Sequence, residues 1–349
     1  MTTDFRQGRP EDRARVTQFL KEIFHSTGAE PSLDPRQMQW KYEEEQSATP
    51  HAWSCRNFLL ERDGAIIAHA GVWPARMILE GKQYPGARLI DWAADHNAPG
   101  AGVSLLQKIA REEKMIYGLG GTEMTRKVFP ALGFRPLSNI GYYARPLRPL
   151  RQILTHPYRM HWKAPARFVR NSWWSRSVGI SVGSWSAHAT APDAHTVWPS
   201  SQTSTMAVFH RDAAGFAYLS RCPVIRSSFY QVKNNGIPVG YFFLVFVPGQ
   251  ARIADAWIPD RDPHSWQKLF TLAEQEARKN PDVAELTSIA GLAPAREALL
   301  ACGFQAMKEE QLMVYDPKRL LPSSLAETNF QLVDDDACYL HENRPAYQT

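Results

Sequence analysis

The strongest constraint on this chain is a set of landmarks that occurs twice, in the same order and at nearly constant spacing. Phe58-Leu59-Leu60 and Ala65-Ile66-Ile67-Ala68 flank Asp63-Gly64, a dipeptide suited to a tight hairpin because both residues tolerate positive φ. Asn235-Gly236 takes that place again, between Phe229-Tyr230-Gln231-Val232 and the run Val239 to Val247. Ala87-Arg88-Leu89-Ile90-Asp91 returns as Ala251-Arg252-Ile253-Ala254-Asp255. Val128-Phe129-Pro130-Ala131-Leu132-Gly133-Phe134 returns as Ala298-Leu299-Leu300-Ala301-Cys302-Gly303-Phe304. Gly64 and Gly236, Asp91 and Asp255, and Gly133 and Gly303 lie 172, 164 and 170 residues apart. Only two copies fit, each large enough to fold around its own core, so the pattern is a duplicated domain and not a solenoid.

Each copy alternates strands with helices. Pro10, with Glu11 and Asp12 in the first turn, opens a helix whose apolar face is Val16, Phe19, Leu20, Ile23 and Phe24. A strand is expected at about 88–94 and a helix from about Gly102, with Val103, Leu106, Ile109 and Ala110 inward. The strand Met115 to Leu119 and a helix closing at Leu132-Gly133-Phe134 follow. In the second copy Trp266, Leu269, Phe270, Ala273 and Ala277 recur at helical spacing. The pattern predicts an α/β (α+β) protein with two mixed, twisted sheets flanked by helices. The expected division is 1–146, a connecting segment 147–205, a second domain 206–317 and a tail 318–349, which carries Asp334-Asp335-Asp336.

The connecting region has an unusual charge. From Met124 to Pro192 there is no Asp or Glu. The same span holds Arg126, Lys127, Arg135, Arg145, Arg148, Arg151, Arg159, Lys163, Arg167, Arg170 and Arg176, interleaved with Tyr158, Trp162, Phe168, Trp173 and Trp174. Three readings fit: a solvated linker, a site for an anionic acceptor, or a peripheral contact with an anionic membrane. Nucleic acid is not expected as a partner, since no recognisable binding module is present. The formal net charge of +5 adds a mild attraction for any anionic partner.

Several classes are excluded. Cys55, Cys222, Cys302 and Cys338 form no CxxC pair, which points to a reduced compartment without a disulfide framework or zinc site. His156, His161, His188 and His195 lack metal-ligand spacing with nearby acids, so no metal is expected. Residues 1–15 have no apolar core of a secretory signal, and the run Tyr241 to Val247 is far shorter than the roughly 20 residues that span a bilayer. A cytoplasmic location is expected, with peripheral contact at the inner face of the membrane open to it.

The strand ending near Ala94 leads into Asn97-Ala98-Pro99-Gly100-Ala101-Gly102 and then a helix. Glycines let backbone approach a phosphate, which the N–H groups and positive end of a new helix would hold. The loop lacks the third glycine of a dinucleotide fingerprint and the Lys-Ser or Lys-Thr of a P-loop, and Gly118-Leu119-Gly120-Gly121 fails both patterns.

Here the sequence resembles the GNAT acyltransferase superfamily, whose pyrophosphate loop runs Gln/Arg-x-x-Gly-x-Gly/Ala between a strand and the following helix. Asn97-x-x-Gly100-x-Gly102 matches except for Asn at the first position, and Leu132-Gly133-Phe134 matches the family's usual close of the next helix. The resemblance covers about residues 3–145 and, more faintly, 206–316. It implies acetyl-CoA or another acyl-CoA as co-substrate, held by Asn97, Pro99, Gly100, Ala101, Gly102 and Val103, with the pantetheine arm alongside Leu89 to Ala94, chiefly Leu89, Ala93 and Ala94. It also implies an amine acceptor, entering from the opposite side into a pocket between the copies. Two departures stand out. Phe129 occupies the place of the family's tyrosine general acid, and the second copy's loop, Pro259-Asp260-Arg261-Asp262-Pro263-His264, has two acids and no glycine. Those carboxylates would repel a pyrophosphate, so the second copy is expected not to bind CoA.

Asp91 is the candidate general base, since a carboxylate lifted by burial suits that work. Its counterpart Asp255 sits in the copy expected to be inactive, which a structural role would also explain. Glu123, Tyr142 and Tyr143 are the other candidates. The function expected is N-acyl transfer, acetyl first of all, to a small-molecule or lipid-linked amine such as an amino sugar or envelope precursor. The alternatives are a non-catalytic CoA-binding protein and a peptidoglycan-type aminoacyl transferase using aminoacyl-tRNA.

Overall fold

The structure, a computed structural model, describes residues 3–24, 30–45, 55–113, 115–121, 123–155, 162–176 and 178–349. The first half contains β1 (Thr3–Gln7), α1 (Arg13–Ile23), α2 (Pro35–Tyr42), β2 (Asn57–Arg62), β3 (Ala65–Leu79), β4 (Lys82–Ala94), α3 (Ala101–Glu112), β5 (Ile116–Leu119), α4 (Glu123–Ala131) and β6 (Phe134–Pro146). Next come α5 (Pro149–Thr155), α6 (Ala164–Trp174), β7 (Trp185–Ala189), β8 (Met206–Phe209), α7 (Ala213–Ser220), β9 (Arg226–Asn234) and β10 (Ile237–Val247). The chain closes with β11 (Gln250–Trp257), α8 (Pro263–Arg278), β12 (Glu285–Ala290), α9 (Ala293–Ala301), β13 (Gln305–Tyr315) and β14 (Glu327–Asn329). Both hairpin turns form where the dipeptides place them, with φ of 50° and 83° at Asp63-Gly64 and 49° and 80° at Asn235-Gly236.

Among the described residues all fourteen strands join one sheet, whose main order is β1-β2-β3-β4-β5-β13-β6-β12-β11-β10-β9-β7. The order is a palindrome of the two copies with their last strands exchanged. β13, from the end of the second copy, pairs antiparallel with β5 of the first; β6 pairs antiparallel with β12 of the second. β6 and β13 then pair with each other and join the halves into a continuous sheet. An apolar core cluster containing Val16, Trp40 and Trp73 from the first copy, and Tyr241, Trp266 and Leu299 from the second, runs across the junction. A second cluster packs Leu105, Leu106 and Ile109 of α3 against Phe58, Ile67 and Ile116.

The exchange reshapes the sequence-based division. β7 lies inside the segment expected to be a connector, yet pairs with β9 as β1 pairs with β2, so it is the second copy's first strand. β8, just past 205, pairs with β3 of the first copy. Neither strand repeats a landmark of the other copy, so their neighbours could not be read locally.

The basic run likewise divides in two. Arg148 donates from Nη1 to the Asn280 carbonyl at 3.0 Å and from Nη2 to that of Arg278 at 2.6 Å, and Arg151 pairs with Asp282 at 2.5 Å. Arg145 is buried against Glu274. Arg148 thus satisfies carbonyls that the end of α8 leaves open, while Arg145 and Arg151 pair with carboxylates of α8 and of the turn into β12. His156, Tyr158, Arg159 and His161 lie outside the described residues.

Candidate functional site

β4 and β5 pair in parallel at only Ala87–Ile116 and Arg88–Tyr117. Past Arg88 the strands part, and a cavity of about 730 Å³ lies there, walled by Leu89, Ile90, Asp91 and Trp92 of β4 and by Leu119 to Gly121 at the end of β5. The parting coincides with a bulge. Gly71 faces Ile90 and His69 faces Ala93, so Asp91 and Trp92 together stand opposite the single residue Ala70. Asp91 has φ 47°, a left-handed conformation for a side chain inside a strand, which persists only when its surroundings hold it.

Lys41 Nζ donates to Asp91 Oδ2 at 2.7 Å, Tyr42 donates its hydroxyl to the same oxygen, and the carbonyl of Asp91 meets His69 Nδ1 at 3.0 Å. Burial pushes His69 down to about 4, so its ring is neutral at pH 7 and Nδ1–H donates to the carbonyl. At Asp91 burial acts to raise the carboxyl pKa, but the charge of Lys41 and the two hydrogen bonds outweigh it and hold the group below its ordinary value. The expectation that burial would lift Asp91 toward neutral is therefore corrected: it is an ionised carboxylate whose Oδ2 is engaged by Lys41 and Tyr42.

The other candidates separate. Tyr142, on β6, lines the cavity with the Lys308 ammonium 4.2 Å from its ring centre. Burial, with help from Asp335, Glu310 and Asp336, raises its phenol far above the ordinary value, so it stays protonated. Tyr143 points to the other face, where its hydroxyl accepts from Arg296 at 3.2 Å. Glu123 is 83% exposed, pairs with Lys127 at 2.7 Å and lies outside the cavity. It begins α4, whose first turn favours an acid for helix stability alone.

The cavity gains groups that sequence reasoning had not assigned. Glu310 of β13 is held by Lys308 at 2.6 Å, and Asp335 and Asp336 of the tail form the acidic wall. Asp336 is raised well above an ordinary carboxyl by burial and by its carboxylate neighbours Asp335, to which it is hydrogen-bonded, and Asp91. Two adjoining acids cannot both ionise cheaply, which adds to burial in raising Asp336. The triplet Asp334-Asp335-Asp336 was visible in the sequence, but nothing local placed it more than two hundred residues back along the chain.

The expected CoA residues lie along the cavity edge and beyond it. Leu89 lines the cavity, Ala93 is buried in the core and Ala94 faces α3. Gly100 caps α3 at φ 83° with open space on its Cα face, a conformation and an openness that suit anion approach. Pro99 is exposed beside it, Ala101 is buried, and Val103 is half-buried in the first turn. Gly102 has a different reason to be glycine: a Cβ there would stand 3.1 Å from the Cβ of Ala94 and 3.3 Å from Trp92 Nε1. It lets α3 pack on β4, and Trp92 Nε1 donates to its carbonyl at 3.1 Å. The amide of Asn97 turns back to Asp95 at 3.2 Å. Phe129, where the family has tyrosine, stacks on Phe134 at 4.3 Å and lines the cavity. The residues present fit a CoA-type ligand in two respects, the parted strands and the open N-terminus of α3.

The two copies joined in one mixed sheet, the bulged β4, the parting beside it and the glycine-capped α3 define a tandem GNAT-type fold. The chain is similar to the crystal structure of a GCN5-related N-acetyltransferase from Anabaena variabilis, with TM-score 0.60 and 11% identity over 90% of this chain and 73% of that one. It is also similar to a tandem GNAT protein from the clavulanic acid biosynthesis pathway, with TM-score 0.53 and 12% identity over 90% of this chain and 98% of that one. No family model and no curated protein matches the sequence. Among the described residues no helix is long and apolar enough to cross a membrane, and no group of three His, Cys, Asp or Glu is placed to hold a metal.

Proposed function

We propose that this protein is an acyl-CoA-dependent N-acyltransferase that binds one CoA per chain and acylates an amine held in the acid-walled cavity. The observation that carries the reading is the parting of β4 from β5 into a cavity walled by Asp335 and Asp336. Acyl-CoA supplies an activated acetyl or other acyl group. The open N-terminus of α3 would hold its pyrophosphate, and β4 from Leu89 to Ala94 would lie along the pantetheine arm.

An ammonium acceptor is drawn to the acidic wall and must lose a proton before its nitrogen can attack the thioester carbonyl. The Asp336 carboxylate, made a stronger base by burial and by its carboxylate neighbours, takes that proton. Asp91 is already ionised and occupied by Lys41 and Tyr42, and serves to hold the bulge. When the C–S bond breaks, the sulfur needs a proton, and the phenol of Tyr142 can give one from the same cavity, a role Phe129 cannot fill. The acceptor class is a primary amine, of the kind that amino sugars and envelope precursors carry.

The test is thiol release from acetyl-CoA against a panel of small amines, amino sugars and amino acids. Release stimulated by at least one amine, with the acylated amine found by mass spectrometry, is the expected result. Tight CoA binding with no release across the panel would support instead a non-catalytic CoA-binding protein.

A further inference from the structure

The part of the basic run that does not clamp α8 carries its own signal. Residues 165–170 of α6 are all exposed, and the helix meets the body of the protein through Asn171, which is 4% exposed. At 100° per residue, Val169 and Trp173 fall within about 20° of the direction opposite Asn171. Trp162 lies just before the helix cap. These three side chains are 69%, 65% and 79% exposed. An outward apolar stripe on a surface helix is the reverse of the usual arrangement, and a contiguous exposed patch of this kind marks an interaction site.

Cations rim the stripe. The Lys163 ammonium lies 5.1 Å from the Trp162 ring centre and the Arg176 guanidinium 4.2 Å from that of Trp173. No acid occurs in the sequence between Met124 and Pro192. We infer that this face of α6 docks on an anionic lipid surface. Tryptophans take the headgroup level, Val169 reaches the acyl boundary, and the cations meet lipid phosphates. A second copy of the chain is a poor occupant, because face-to-face docking would bring two cationic rims together. A nucleic acid would leave the aliphatic centre of the stripe without a partner.

The helix is also tied to the cavity. Ala346 lines the cavity. Three residues on, Thr349 Oγ1 accepts from Gln152 of α5 at 2.9 Å, and Asn171 of α6 donates to Gln152 Oε1 at 2.9 Å. That stretch of tail spans at most about 11 Å, so the root of α6 and the cavity rim are close neighbours. Docking would hold the cavity beside the lipid surface and give it an amine borne there. This last step rests on the N-acyltransferase reading; the docking itself does not.

The test uses the full chain with vesicles of phosphatidylcholine alone and of phosphatidylcholine mixed with phosphatidylglycerol. Retention on the anionic vesicles is expected, weakening as salt rises. Val169→Asp combined with Trp173→Ser alters only exposed positions and should reduce retention at least roughly tenfold with an unchanged melting temperature. Lys163→Gln with Arg176→Gln should lose about fivefold per charge. No retention by the wild type at low salt would overturn the inference, as would equal retention by the Val169→Asp/Trp173→Ser variant. So would light scattering that shows a dimer dispersed by that variant, or retention of nucleic acid without vesicles. Vesicle retention together with a flat amine panel would remove the acyltransferase reading and leave the docking standing.

Discussion

The two copies differ most where their strands feed their central helices. In the first, β4 and β5 separate after two pairs, Gly100 opens the helix in a left-handed conformation, and a cavity of about 730 Å³ follows. In the second, β11 and β12 stay paired from Gln250–Glu285 to Ile253–Ser288, and the hole beyond them is about 100 Å³, lined by Trp257 and Trp266. The loop acids there serve the helix itself. Asp262 accepts from the amide of His264 at 3.0 Å, and Asp260 accepts from Ser265 Oγ at 2.6 Å. One architecture thus gives a helix N-terminus open to an outside anion or one already satisfied by its own carboxylates. Both copies also bury an acid at the bulged strand, with different settings: Asp91 faces the cavity, whereas Asp255 is sealed and paired with Arg211 at 2.6 Å.

The largest effect is expected at the acidic wall. Asp336→Asn should lower turnover by about 10²–10⁴-fold with CoA affinity unchanged, and should remove the ascending limb of the pH–rate profile. The exposed Glu123→Gln should leave turnover as it is. The signs for stability also differ between the two cavity acids. Asp336 has its folded pKa raised, so its contribution is fully present below the ordinary carboxyl value and is lost as pH rises through the folded one. Asp336→Asn should therefore gain on the wild type in denaturant melts as pH is raised from 4 toward neutral. Asp91 has its folded pKa lowered, so its contribution is present above the ordinary value and lost as pH falls through the folded one. Wild-type turnover in Asp336→Asn would return the role of base to Asp91.

A smaller effect sharpens the pairing of cation and acid in the two halves. Lys41→Met removes the cation that pairs with Asp91, and Arg211→Met removes the cation of Asp255 and the nearer of the two cations beside Asp334. Each should cost about 3–5 kcal/mol in urea unfolding, Arg211→Met the more. A Lys41→Met protein as stable as the wild type would mean that Lys41 does not offset the charge of Asp91 in the folded protein.

What was legible in the sequence follows from range. The hairpins, the glycine loop and the helix ending at Gly133 are local chemistry, and all are formed. The duplication was visible because it repeats local signals. The exchange of β6 and β13 was not, since a strand's own alternation says which face is buried but not which strand lies beside it. Nor was the cluster that completes the site: Lys41 and Tyr42 reach Asp91 from about fifty residues upstream, and Asp335 and Asp336 from the far tail. Arg145, Arg148 and Arg151 stood in the sequence only as part of a basic run, because their partners, Glu274, the carbonyls at the end of α8 and Asp282, lie about 130 residues downstream.

The central claim, that only the first copy holds CoA, is tested most directly by calorimetry on the wild type and on Val103→Glu. An acid at the third position of α3 suits the helix dipole and can fold back on the cap, so the fold should be as stable or more so. The same charge repels a pyrophosphate at that N-terminus. One CoA per chain in the wild type, and none in a Val103→Glu protein with an undiminished melting temperature, is the result expected. Two CoA per chain, or unaltered binding in the variant, would contradict it.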